Sequence, residues 1–136
     1  MMQSIKSGSH TVEVEGDLFH IKWNGQPDLV DTQEVFDFAT EIYRLHGRCL
    51  LLMDVSKSEI PTVKSRKYSA EWVMARDMST VPVAVYGLSY IKRAILSMQL
   101  NAIKVLGKRP PVASYSASES EARAWLAEQR DNIRRR

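Results

Sequence analysis

Residues 49–53 read Cys-Leu-Leu-Leu-Met, an apolar run closed by Asp54. A strand with one face in water alternates apolar with polar residues, and this run has no alternation. It predicts a central strand covered by packed layers on both faces, the environment of a parallel sheet. Residues 83–86, Val-Ala-Val-Tyr before Gly87, repeat the pattern. Parallel neighbours need crossovers of a dozen residues or more, usually helices. These two runs therefore commit the chain to an α/β layout.

The flanking segments agree with it. Residues 11–15 and 18–23 alternate in twos across Gly16-Asp17, the pattern of a hairpin. A first helix opens at Asp31, with Glu34 completing a capping box, and stops at Gly47. Val35, Phe38, Ala39, Ile42, Leu45 and His46 form its expected core stripe, with Phe36 and Tyr43 on the flank. Residues 55–62 read as a polar loop and 63–78 as a second helix with two apolar stripes. Val63, Ala70, Val73, Met74 and Met78 form one, and Tyr68, Trp72 and Ala75 lie nearly opposite. One stripe is enough to pack on a sheet. The second needs another surface, which a neighbouring helix, a second subunit of a homodimer or an apolar ligand would each supply.

Ser89 caps a third helix over 90–106, and residues 112–115 form a last strand. Ser118 with Glu121 caps a fourth helix, with Ala122, Trp125 and Leu126 inward. The order ββαβαβαβα describes a mostly parallel mixed sheet of about five strands with an N-terminal hairpin, flanked by four helices. Residues 1–136 read as a single domain, with 1–10 a polar leader and 129–136 a basic C-terminal tail.

Charge is unevenly spread along the chain. Residues 1–56 carry −5, residues 57–109 carry +7, residues 110–128 carry −2 and residues 129–136 carry +3. An acidic first half and a basic middle create faces of opposite potential, and the basic one suits an acidic protein partner. No apolar run approaches the length of a membrane span. The polar first ten residues lack a signal-peptide core, so a cytoplasmic address is expected. Cys49 is the single cysteine, which excludes an internal disulfide and reads as a buried, inert thiol.

His10, His20 and His46 lie on different elements, with no His pair or Cys cluster, so neither a metal nor a cofactor is expected. The chain has no Gly-rich phosphate loop and no Gly-x-Ser-x-Gly elbow, and no catalytic residue is assigned. Arg134, Arg135 and Arg136 lack the interleaved aromatics of a nucleic-acid platform. Position is what remains. In open α/β sheets ligands gather at the carboxyl ends of the parallel strands. Ser56, Ser58, Thr62, Ser89 and Ser116 fall there, beside Lys64, Arg66, Lys92 and Arg93. Hydroxyls, helix N-termini and cations favour an anion, although the same serines also serve as helix caps.

The order of elements and several of their residues resemble the STAS domains, in the SpoIIAA-like branch related to bacterial anti-sigma-factor antagonists. Leu50-Leu51-Leu52-Met53-Asp54-Val55-Ser56 carry the likeness, with Arg66, Ala70 and Trp72 on the next helix. Val83-Ala84-Val85-Tyr86-Gly87-Leu88-Ser89, Lys92-Arg93, Glu121-Ala122 and Trp125-Leu126 complete it, over residues 10–128. The resemblance implies a non-catalytic binding or regulatory domain. In such antagonists a kinase modifies a serine or threonine near the start of the helix after the central strand, within an Asp-Ser-Ser/Thr-Gly-like signature. Here Glu59-Ile60-Pro61-Thr62-Val63-Lys64-Ser65 stands instead. Thr62 is the nearest positional match for a phosphoacceptor and Ser65 the next. Other members of the wider fold group hold apolar or lipid-like ligands.

Two readings of function follow. In the first, a regulatory domain docks an acidic partner through Arg66, Tyr68 and Trp72, with Phe36 and Tyr43 alongside. In the second, a carrier or sensor holds a small apolar or anionic ligand between the second helix and the sheet.

Overall fold

A computed structural model of the chain describes residues 2–89, 93–94 and 112–135. Six strands form one sheet in the order of the sequence: β1 (Met2–Ser7), β2 (His10–Glu15), β3 (Leu18–Gly25), β4 (Leu50–Ser58), β5 (Val83–Tyr86) and β6 (Ala113–Ser116). The first two pairings are antiparallel and the other three parallel. The described helices are α1 (Leu29–His46), α2 (Val63–Met74) and α3 (Glu119–Arg134), with a 3₁₀ turn at Met78–Thr80. Of the helix predicted over 90–106, only Arg93 and Ala94 lie among the described residues, and both are helical.

Strand parity sorts the side chains into two cores. Phe19, Ile21 and Trp23 of β3 and Leu51 of β4 pack with Phe36 of α1 and Trp72 of α2. Leu18, Leu50, Leu52, Ala84 and Tyr86 point the other way, onto Ala122 and Leu126 of α3. Leu50, Leu51 and Leu52 are all 0% exposed, as an apolar run without alternation requires.

Four expectations need correction. The polar leader is an edge strand, with Ile5 opposite Val12 across a turn where Gly8 takes φ 59°. Backbone hydrogen bonds hold such a strand whatever the polarity of its side chains, which is why composition concealed it. Helix α1 starts earlier than Asp31. Asp28 is its cap, accepting the Asp31 N–H at 2.8 Å. Its packed residues are Thr32, Val35, Phe36 and Ala39, while Phe38 and Leu45 are 41% and 66% exposed. The stripe is rotated because α1 must meet α2 as well as the sheet, and Phe36 rather than Phe38 points to both. Finally, β4 runs on through the predicted loop to Ser58. After a register shift between Lys22 and Asn24, β3 continues to pair with it, Gly25 opposite Ser58.

The basic tail is largely helical, and one of its arginines is structural. Arg130 donates to both carboxylate oxygens of Asp17, at 2.7–3.1 Å, and Arg48 donates to the same carboxylate at 2.6 Å. Burial works against the charge of Asp17, but the Arg130 and Arg48 hydrogen bonds outweigh it and hold the carboxyl below its ordinary range. This cluster ties the β2–β3 turn to the end of α3 and to the chain just before β4.

Candidate functional site

The ends of β3 and β4 and the start of α2 are joined by a short loop that is pinned down. The Glu59 N–H donates to the Gly25 carbonyl, the Thr62 N–H to the Pro27 carbonyl, and the Gln26 amide to the Ile60 carbonyl. Thr62 then caps α2, its hydroxyl accepting the Ser65 N–H at 3.2 Å. Between this loop, α2 and the sheet lies a cleft of about 230 Å³. Its walls are mainly apolar: Trp23 of β3, Met53 and Val55 of β4, Val85 of β5, and Leu88 beyond it. Ser58, Ser65, Ser69, Glu59 and Arg66 add polar atoms. The Nε of Arg66 is buried and has no hydrogen-bond partner. A buried donor in that state is an exception in native proteins and calls for a physical reason.

The cleft lies at the carboxyl ends of three parallel strands, where the doubly wound rule places ligands. The predicted hydroxyls divide around it. Ser58 reaches the cleft wall, buried and donating to the Glu59 carbonyl. Ser56 turns away, its N–H and hydroxyl both donating to Asp54 Oδ1, so Asp54 is a loop-capping acceptor. That turn presses against Gly87 (φ 82°), where an added Cβ would fall 2.9 Å from the Ser56 nitrogen. Ser89 is exposed and Ser116 half-buried; the Ser89 carbonyl accepts the Arg93 N–H, and the exposed Arg93 guanidinium donates to the Tyr115 carbonyl. Lys64 is exposed on α2, and Lys92 lies outside the described residues. Thr62 is half-buried; Ser65 is 2% exposed and shares a 2.6 Å hydrogen bond with Thr32 of α1, which encloses its hydroxyl.

The second stripe of α2 has an internal explanation. Trp72 is 6% exposed and Phe36 0%; their ring centroids lie 4.9 Å apart with the planes tilted by 47°, and the Arg76 guanidinium lies over the indole, 3.9 Å from its centroid. The Trp72 indole N–H donates to Thr40 of α1 at 3.0 Å. Neither Phe36 nor Trp72 is therefore surface in this conformation, because α1 is the neighbour that the stripe required. Tyr68 and Tyr43 are half-buried on the margin of this core.

On the α3 face a polar ring was not foreseen. His20 Nε2 lies 2.8 Å from the Tyr86 hydroxyl, which lies 3.2 Å from Glu119 Oε1. Arg123 donates to Glu119 at 2.8 Å, to Glu15 at 2.9 Å, and approaches His20 Nδ1 at 3.5 Å. Donors and acceptors match in one way only. Arg123 can only donate and Glu119 only accept, so the Tyr86 O–H goes to Glu119 and His20, neutral, gives its Nε2–H to Tyr86. Burial first, against the pull of Glu119, keeps the His20 imidazole below its ordinary range. Burial likewise pushes the Tyr86 phenol up, with the Asp54 and Glu119 carboxylates adding to it. The ring fastens the first turn of α3 to the sheet. Period-2 alternation placed His20 on this face, but its partners come from strands and a helix up to 103 residues away. Among the described residues, no group of three or more His, Cys, Asp or Glu could hold a metal ion. No described helix is long and apolar enough to cross a membrane.

No family model matches this sequence and no curated protein matches it. Solved structures do. The chain is similar to an uncharacterised protein of the DUF3478 family with a SpoIIAA-like fold from Shewanella loihica PV-4, at TM-score 0.57 and 12% identity, covering 93% of this chain and 92% of that one. It is also similar to the anti-sigma factor antagonist SpoIIAA in its unphosphorylated form, at TM-score 0.60 and 9% identity, covering 93% of this chain and 98% of that one. At these identities the likeness speaks for architecture alone, and on that architecture the two structures and the pairing of the strands agree: the chain has the SpoIIAA-like fold of the STAS domains.

Proposed function

We propose that this domain is a non-catalytic binding module whose working site is the cleft between α2 and the ends of β3, β4 and β5, taking a small ligand with an apolar body. The observation that carries the reading is the cleft itself: apolar walls at the strand ends, beside a buried Arg66 nitrogen that the protein leaves unpaired. A site built only for protein docking has no need of such a recess. Ser69, in the wall, offers the test. Native mass spectrometry of protein purified without denaturant is expected to find an adduct on the wild type and none on Ser69→Trp, which fills the space. A bare mass for the wild type under every condition counts against the reading.

A regulatory role as a partner-docking domain has its own support. The first turn of α2 carries no acidic residue, and Lys64 and Lys67 stand exposed beside Arg66. Such a surface favours an acidic partner and gives a salt-dependent complex. Reversing both charges, Lys64→Glu with Lys67→Glu, should abolish that complex while leaving the cleft ligand in place; a salt-independent complex would speak against it. The cytoplasm is the proposed site of action.

A further inference from the structure

Two features meet along one edge of the molecule. The first is β1, which ends the strand order among the described residues. All six of its residues pair with β2 in unbroken register, from Met2 opposite Glu15 to Ser7 opposite His10. It contains no proline and a single charge, Lys6, and both Ser4 and Lys6 are exposed. A flat edge offers free N–H and C=O groups to another strand, and natural sheets blunt it with prolines, bulges or rows of charge. This edge has one lysine for that purpose.

The second feature is the flank of α1 above that edge. Asp31, Phe38 and Leu45 follow one another at intervals of seven along α1 and so share a flank. Asp31 reaches His10 of β2 at 3.4 Å, and Glu34, one turn on, accepts the Ser7 hydroxyl at 2.8 Å. This flank therefore lies on the β1 side of the sheet, while Phe36 turns to Trp72 of α2. Phe38 is 41% and Leu45 66% exposed, with Ile42 half-buried between them. One exposed apolar side chain is ordinary on a surface. Three at helical spacing, above a strand with a free edge, call for a partner.

We infer that this edge is the interface of a homodimer. Strand β1 pairs antiparallel with β1 of a second copy across a two-fold axis, and the two α1 helices pack together above the joint, Phe38 of one copy facing Leu45 of the other. A two-fold contact must be self-complementary. Helix α1 meets that condition. Asp31, Glu34, Asp37 and Glu41 precede Arg44 and His46, so antiparallel packing lays the acidic part of each helix beside the basic end of the other. Strand β1 meets it too, since its lysine faces a neutral residue in every register but the one that sets Lys6 against Lys6. An 18-residue helix is ~27 Å long, and with the strand beneath it presents a wall on the order of 500 Å². That is near the low end of specific interfaces, roughly 600 Å² a side, so association at ~10–100 µM is expected. The surface is separate from the cleft beside α2, and the inference does not depend on the cleft reading.

Sedimentation equilibrium of the full chain from ~5 to ~500 µM, a range that brackets the expected affinity, tests this. The mass should rise from 15.5 kDa toward twice that value. Phe38→Glu with Leu45→Glu should hold it at 15.5 kDa throughout. Leu45→Glu alone, at the more exposed of the two positions, should weaken association ~10-fold or more and serves if the double variant does not fold. Val63→Glu, 70% exposed on α2, should leave the dimer unchanged. Hydrogen exchange read by mass spectrometry should show the amides of residues 2–7 slowing as the dimer forms. A wild type that stays at 15.5 kDa at every concentration would overturn the inference. A dimer that survives both Leu45→Glu and the double variant would overturn it too, as would a dimer whose β1 amides exchange as fast as those of the monomer.

Discussion

Removing one oxygen from the ring under α3 tests whether that ring holds the fold. Tyr86→Phe keeps the aromatic body in its core, where Tyr86 is 8% exposed, and deletes only the hydroxyl. Two hydrogen bonds go with it, 2.8 Å to His20 and 3.2 Å to Glu119. Their consequences are unequal. Glu119 is half-exposed and keeps Arg123 and solvent, so its share is small. His20 is 1% exposed, and its Nε2–H is left without an acceptor. An unsatisfied buried donor costs ~1–3 kcal/mol, so the expected loss is ~2 kcal/mol. For a domain of this size that corresponds to ~8 °C in Tm. Urea denaturation at pH 7.5 with a shared m-value measures it. The companion variant His20→Leu removes the stranded donor, so the double variant His20→Leu, Tyr86→Phe should lose less than the sum of the singles. A Tyr86→Phe protein within 0.5 kcal/mol of the wild type, or strictly additive losses, would refute the ring as a coupled unit.

Acid should loosen the same element. The His20 imidazole is held below its usual value, so as pH falls below about 6.5 the unfolded chain takes up a proton that the folded chain does not, and stability declines. Denaturation midpoints between pH 7.5 and 5.5 should fall in the wild type and flatten in His20→Leu. Gly87→Ala forces a left-handed backbone and drives a methyl group into the Ser56 backbone 2.9 Å away, so a loss of ~2 kcal/mol or more is expected in the same assay. Cys49 is buried, with its thiol pushed up to about 12 by burial and then by Asp17, so a thiol reagent should label it only once denaturant opens the core. Thr62→Ala should cost ~1 kcal/mol by uncapping α2, and Thr62→Asp, which can still accept the Ser65 N–H, much less.

The architecture was legible wherever local physics and burial coincide. Residues 50–52 announced a strand covered on both sides, Gly47 ended α1 in the left-handed conformation at φ 69°, and Ser118 capped α3 through the Glu121 N–H. Legibility failed where a partner distant in sequence decides. Phe36 and Phe38 are equally apolar, and only the position of Trp72 selects Phe36 for the core. The edge strand β1 has no pattern of its own because its partner supplies the order. At the site, Arg66 was read as surface charge, and it stands half-buried in the wall of a cleft whose other walls come from distant strands. The strand-end serines were placed by topology, but which of them turns inward depends on local turns such as the one at Asp54.

The sheet lays its strands side by side in the order in which they are made, β1 to β6. No later strand must be threaded between two earlier ones. A growing chain can therefore complete the β1–β2–β3 meander, then add β4 with α1 already folded behind it, without undoing any pairing. Among the described residues the walls of the cleft come from β3, β4, α2, β5 and the segments that follow β4 and β5, so these walls meet only when Val83–Tyr86 docks on β4, a strand that precedes β6 and α3 in the chain. Late arrivals then secure what already stands: Arg130 locks the β2–β3 turn from α3, a clasp fastened late. Shortening the chain from its C-terminus would thus loosen the lock before it disturbs the pocket.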